Sequence, residues 1–144
     1  MITQLAGNYH LEASEDFDEY LKELDVGFTI RKTMVNIKDN LTIEIESEGD
    51  SFRFSLKDQL GLQNRSFILG QDYYYQPKFA SGGRCKCSSD WDEESSTLVS
   101  DTIAESGCDW AKDGTYSIQC IDGGLIITMT AGAVTAKRTY LRDV

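Results

Sequence analysis

GNYHLEASEDFDEYLKEL, residues Gly7 to Leu24, changes periodicity in its middle. Up to Ala13 polar and apolar residues alternate, the pattern of a half-buried strand. After Ser14, Phe17, Tyr20, Leu21 and Leu24 fall at i, i+3, i+4 and i+7, which draws one apolar stripe along a helix. Ser14 or Asp16 stands where an N-cap is needed, and Glu15, Asp18 and Glu19 favour the positive end of the helix dipole. Asp25-Val26-Gly27 ends that helix, and Phe28 to Met34 is long enough for a second short one. The expectation is a helix-turn-helix over residues 15–35, with helical patterning confined to this part of the chain.

Beyond it the period is two. Leu41, Ile43 and Ile45 alternate with Thr42, Glu44 and Glu46, and Glu48-Gly49-Asp50 supplies a turn. Phe52, Phe54 and Leu56 then alternate with Ser51, Arg53 and Ser55. Further turns are marked by Ser81-Gly82-Gly83, Asp113-Gly114 and Asp122-Gly123-Gly124. The last of these separates SIQCI from LIITMT, and a final strand runs from Val134 to Leu141. Short strands spaced by about 8–12 residues point to an antiparallel barrel or sandwich. A single proline in the chain suits continuous ladders.

At 144 residues the expectation is one domain, 1–144, able to close around a sizeable interior. A net charge of −10 leaves no Lys/Arg excess to neutralise phosphates, so nucleic acid is not an expected partner. MITQLAGNYH lacks the basic and apolar regions of a signal peptide, and no run approaches the roughly 20 apolar residues of a spanning helix. A cytoplasmic protein is expected, with Cys85, Cys87, Cys108 and Cys120 as plain thiols. Cys85-Lys86-Cys87 has no second thiol pair or nearby His to complete a zinc site.

A strand, two short helices and then an uninterrupted meander is an unusual order. It resembles the intracellular lipid-binding proteins, the fatty-acid-binding and cellular retinoid-binding family. The matching residues begin with Gly7-x-Tyr9-x-Leu11, in which Tyr9 takes a position usually given to Trp. They continue through Phe17-Asp18-Glu19-Tyr20-Leu21-Lys22-Glu23-Leu24, Val26-Gly27-Phe28 and Arg31-Lys32. Glu48-Gly49-Asp50, Ser66-Phe67-x-Leu69-Gly70-x-Asp72-Tyr73, Ile121-Asp122-Gly123-Gly124-Leu125-Ile126 and Arg138-x-Tyr140 follow in the family's order. The stretch from Gln76 to Lys112 aligns poorly and is longer than usual. The resemblance implies an all-β fold, a ten-stranded antiparallel up-and-down barrel of the calycin kind. The helix-turn-helix lies over one end as a lid, so its apolar stripe seals the mouth and its charged face stays in water.

It also implies a carrier, most naturally of a long-chain fatty acid. Burying roughly fifteen methylenes at about 0.8 kcal/mol each releases on the order of 12 kcal/mol before ordering costs. An unpaired buried carboxylate would cancel much of that gain, whereas an Arg fork and a Tyr hydroxyl would meet it. Arg138 and Tyr140 are two apart on the last strand and share one face. In the family this pair points inward and holds the ligand head. Many fatty-acid binders carry a second inward Arg before the IDG turn. Here that slot falls on Ile118, or on Gln119 if a bulge shifts the register, as in retinol-binding members. Arg65, in parity with Phe67, is a candidate substitute. Tyr116 and Ile118 are expected to line the cavity with Phe17 and Phe67, and Tyr20, Val26, Leu60 and Tyr75 to form the portal.

Lys22, Arg31 and Lys32 cluster on the helix pair and suggest transient membrane contact. A monomer without cofactor or metal is expected. Asp90, Asp92, Glu93 and Glu94 lack the glycine turn and bidentate Glu of an EF-hand. The lone His10 has outward parity, which removes most His-based catalysis, and no phosphate loop is present. Not an enzyme, then. The alternatives are a carrier of a neutral or retinoid-like ligand, and a protective barrel whose cavity is secondary.

Overall fold

The computed structural model describes residues 1–60, 64–76, 84–105 and 112–144. The turn expected at Ser81-Gly82-Gly83, and Cys108, lie outside them. A 3-10 turn, Ile2–Leu5, precedes the first strand β1, Gly7–Glu15. Two helices follow, α1 (Phe17–Glu23) and α2 (Phe28–Val35). Nine further strands complete the described fold: β2 (Asn40–Glu48), β3 (Ser51–Asp58), β4 (Arg65–Ile68), β5 (Tyr73–Tyr75), β6 (Cys85–Asp92), β7 (Thr97–Ala104), β8 (Gly114–Ile121), β9 (Gly124–Ala131) and β10 (Val134–Arg142).

The strands form one antiparallel sheet in the order β4-β3-β2-β1-β10-β9-β8-β7-β6-β5. Only the β1–β10 pairing joins strands far apart in sequence, which makes the sheet an up-and-down meander closed by its two ends of chain. The edge strands β4 and β5 are not paired by a ladder. A ring stack bridges them instead, Phe67 on Tyr73 at 4.3 Å, and a backbone bond from Gly70 N–H to the Ser89 carbonyl ties their turn to β6 at 3.0 Å. The result is a nearly closed barrel.

Two expectations at the N-terminus need correction. Helix is not confined to residues 14–34, because Ile2 and Leu5 bury themselves from a 3-10 turn. Ser14 does not cap α1, since β1 runs on to Glu15 and pairs it with Lys137 of β10. A bulge between Leu11 and Ala13 carries the strand that far. Asp16, at φ 58, turns the chain sharply into the helix. The lid itself forms as expected, with Phe17, Leu21 and Leu24 of its stripe buried against the barrel.

Inward faces follow the two-residue period. Leu41 and Ile43, Phe54 and Leu56, Leu125, Ile127 and Met129 are buried with alternation, as strand pleating requires. Gly124 matters for position: a Cβ there would lie 2.0 Å from the backbone oxygen of Tyr140, so its absence lets β10 close on β9.

Candidate functional site

The interior holds polar groups that an apolar core would not tolerate without purpose. Ala136, Arg138 and Tyr140 alternate inward along β10, and Arg138 is only 3% exposed. Its guanidinium lies 3.9 Å over the Phe17 ring of the lid. Nε donates to the Tyr140 hydroxyl at 3.3 Å, and Nη1 to Ser14 Oγ at 3.4 Å across the β1–β10 ladder. Nη2 is buried without a partner. The expected pair is therefore together and inward.

A third member of that group went unread in the sequence. Asp39, in the connection between α2 and β2, is fully buried. Its Oδ2 accepts the Tyr140 hydroxyl proton at 2.8 Å, and its Oδ1 accepts the Gln59 and Leu60 N–H groups at 2.8 and 3.3 Å. The single Tyr140 proton is thereby committed to Asp39. Burial, opposed by the Arg138 charge, holds the Tyr140 phenol well above its ordinary pKa. Beside the trio, between Phe17, Asp58, Met129 and Leu60, about 10 Å³ is open to the centre of a water molecule, room for about one. The signal that could have found Asp39 is parity: it stands two residues before Leu41, on the inward face of the β2 run.

Arg65 also faces inward, on the edge strand β4. Its guanidinium is sandwiched between the rings of Tyr75 and Tyr116, 4.3 and 4.6 Å from the centroids. Nη1 donates to the Tyr73 hydroxyl at 3.4 Å and to Cys87 Sγ at 3.8 Å. Arg65 Nε, Tyr75 Oη and Tyr116 Oη are all buried without hydrogen-bond partners. Burial pushes the Tyr20 phenol up to about 12, against the opposing charge of Arg65. It raises the Tyr75 and Tyr116 phenols in the same way.

The β8 register decides the slot left open in the sequence. Ile118 is 0% exposed and faces inward, paired with Leu98 and Ile127. Gln119 is exposed on the outer face, so it cannot meet a ligand head. No bulge intervenes to turn it in. Phe67, Val26, Leu60 and Tyr116 are buried, while Tyr20 and Tyr75 are partly exposed with enclosed hydroxyl ends. Cys120 shares the face of Ile118, and burial raises its thiol pKa, the opposite of a reactive nucleophile. His10 points outward to Asp143, 2.7 Å away.

A family model described as lipocalin / cytosolic fatty-acid binding protein matches residues 6–107. The chain belongs to that family. Among its relatives, cellular retinoic acid-binding protein 2 of Homo sapiens is 29% identical over 141 residues, covering 96% of this chain and 97% of that protein. Of solved structures, the REP1-NXSQ fatty acid transporter superposes with a TM-score of 0.77 at 26% identity, over 99% of this chain and 98% of that one. The fatty acid-binding protein in brain tissue of Drosophila melanogaster gives 0.73 at 29% identity, over 95% and 98%. In this chain the inward Arg138 and Tyr140 stand beside a buried carboxylate, that of Asp39.

The lid surface is less basic than its composition. Asp18 accepts from Arg31 Nε at 2.8 Å and from Lys32 Nζ at 3.0 Å, so both cations of α2 are paired within the lid. Those hydrogen bonds, Lys32's foremost, hold the Asp18 carboxyl below its usual range. Phe28, 66% exposed, sits between the two cations, each 5.5 Å from its ring centroid. Among the described residues no helix is long and apolar enough to cross a membrane.

Proposed function

We propose that this protein binds and carries a long-chain fatty acid or a similar amphiphile, without turnover, as a cytosolic monomer. The tail lies along the apolar inner faces of the strands. The polar end reaches the inward arginine–tyrosine groups, Arg138 with Tyr140 and Asp39, and Arg65 with Tyr75 and Tyr116. The observation that carries this reading is that both buried guanidinium groups keep a nitrogen with no partner. Orphaned buried donors are costly, and a bound head group would satisfy them. Membership of a family with fatty-acid and retinoic-acid binders supports the ligand class.

The lid's outer face extends the proposal. Exposed Phe28 and Ile30 of α2, with Arg31 and Lys32 against the Phe28 ring and Lys22 on α1, suit transient contact with a membrane from which a lipid is collected. A second reading, a neutral or retinoid-like ligand, is favoured by Ile118 in the β8 slot and by the carboxylate of Asp39 beside Tyr140. Native mass spectrometry of the expressed protein, followed by competition between hexadecanoic acid and a retinoid for a fluorescent probe, tests both. Co-purified or titratable fatty acid supports carriage of an acid. A barrel that stays empty with every offered lipid refutes it.

A further inference from the structure

The two arginine groups differ in charge balance, and that difference assigns them different work. Arg138 shares Tyr140 with the buried carboxylate of Asp39, which leaves the trio near neutrality. An incoming carboxylate there meets a resident anion and a hydroxyl whose proton is already given away. The adjoining void holds about one water, which suits a small neutral polar group.

Arg65 has the opposite surroundings. Among the described residues, the groups in contact with its guanidinium are aromatic faces, a phenol and a thiol, Tyr75, Tyr116, Tyr73 and Cys87, while the carboxyl of Asp58 on β3 acts electrostatically on Tyr75 and Tyr116. Its buried Nε and the two buried phenol hydroxyls are three unpartnered hydrogen-bonding groups gathered on one side chain's surroundings. Aromatic faces attract a cation but leave its charge unneutralised. An ionised carboxylate would take Nε–H and a phenol O–H as charge-assisted bonds and cancel that charge. Arg65 reaches from β4 to the ring of Tyr116 on β8, two residues before the Ile118 slot and on the same inner face.

We infer that Arg65, with Tyr75 and Tyr116, is the anion-selecting site of the barrel, the residue set that makes an acid preferred over the matching alcohol. The Arg138–Tyr140–Asp39 trio is then a charge-balanced polar end that does not discriminate between them. This inference rests on the carrier reading above.

The test measures displacement of a fluorescent probe by hexadecanoic acid and by hexadecan-1-ol in the full chain. Wild type, Arg65→Met, Arg65→Lys and Arg138→Met are compared, with thermal unfolding of each ligand-free form. Arg65→Met is expected to weaken the acid about ten- to hundred-fold, the factor that a charge-assisted hydrogen bond confers, and to leave the alcohol within about threefold. Its ligand-free form should be as stable as wild type or more so, because an uncompensated buried charge is removed. Arg65→Lys should recover part of the acid preference, and Arg138→Met should weaken both ligands alike. Equal loss of acid and alcohol in Arg65→Met, or an acid-selective loss confined to Arg138→Met, overturns the inference while leaving the carrier reading intact. Should Arg65→Met fail to fold, a structural role is indicated and the inference falls, unless Tyr75→Phe with Tyr116→Phe gives the acid-selective loss in a folded protein. Wild type that binds neither lipid defeats the carrier reading and the inference with it.

Discussion

Replacing Asp39 separates its two duties. Oδ1 takes two backbone N–H groups at the start of the segment after β3, and Oδ2 takes the Tyr140 hydroxyl. Asp39→Ala strands two buried donors, the Leu60 N–H and the Tyr140 hydroxyl, while the Gln59 N–H keeps the Asn40 carbonyl at 3.1 Å. Each orphaned donor costs about 1–3 kcal/mol, and the neighbouring void admits about one water to satisfy one of them. The expected loss is therefore about 2–3 kcal/mol, or a Tm lower by roughly 6–9 °C for a chain of this size. Asp39→Asn keeps the side-chain oxygen for Gln59 and Leu60. Its amide then donates to the Tyr140 oxygen and frees the phenol proton. That variant should lose only about 1 kcal/mol, roughly 3 °C. It also removes the anion beside Arg138, so it should bind hexadecanoic acid more tightly than wild type. The assay is thermal and urea unfolding of both variants, with acid titration of the asparagine form. An alanine variant as stable as the asparagine one would refute the claim that Oδ1 holds this corner of the barrel.

Alkali gives a second test. Tyr20, with Tyr75, Tyr116 and Tyr140, has its phenol pKa raised by burial, in the case of Tyr20 to about 12. A folded pKa above the unfolded value of about 10 means stability is complete below pH 10 and falls as pH rises through about 12. Absorbance titration should show these phenols ionising together with unfolding; ionisation in a fully folded barrel would contradict their burial. Gly124→Ala drives a methyl into the Tyr140 carbonyl, so it should cost about 1–3 kcal/mol by denaturant unfolding and weaken ligand binding, because β10 carries Arg138. No change in either would show that β10 tolerates displacement. Phe28→Ser should leave stability within about 0.5 kcal/mol while slowing lipid transfer to anionic vesicles in a stopped-flow assay. Unchanged transfer would remove the lid's outer face from the proposal.

Several features were legible in the chain because they depend on neighbours close in sequence. The change of period at Ala13 marks where strand gives way to lid, and Arg138 and Tyr140 share a face because strand side chains repeat every two residues. The same parity put Arg65 on the face of Phe67, and both point inward. What failed were boundaries and registers. Ser14 belongs to β1 because pairing with β10 outweighs its capping preference, and it ends as a partner of Arg138. The choice between Ile118 and Gln119 turns on whether a bulge intervenes near the IDG turn, a property of the β8–β9 pairing and not of either residue alone.

From its residues alone, then, this protein declares a meander of strands with an early helical stretch and an Arg-x-Tyr pair on one strand face, because periodicity is a local property; that the face is the inner one and the helices a cap is what the resemblance implied. Tertiary structure alone brings Asp39 to Tyr140 across 101 positions of chain and closes the rings of Tyr75 and Tyr116 over Arg65. Charge compensation is a matter of distance in space. Which of two buried cations is already balanced is therefore decided only once the barrel has closed.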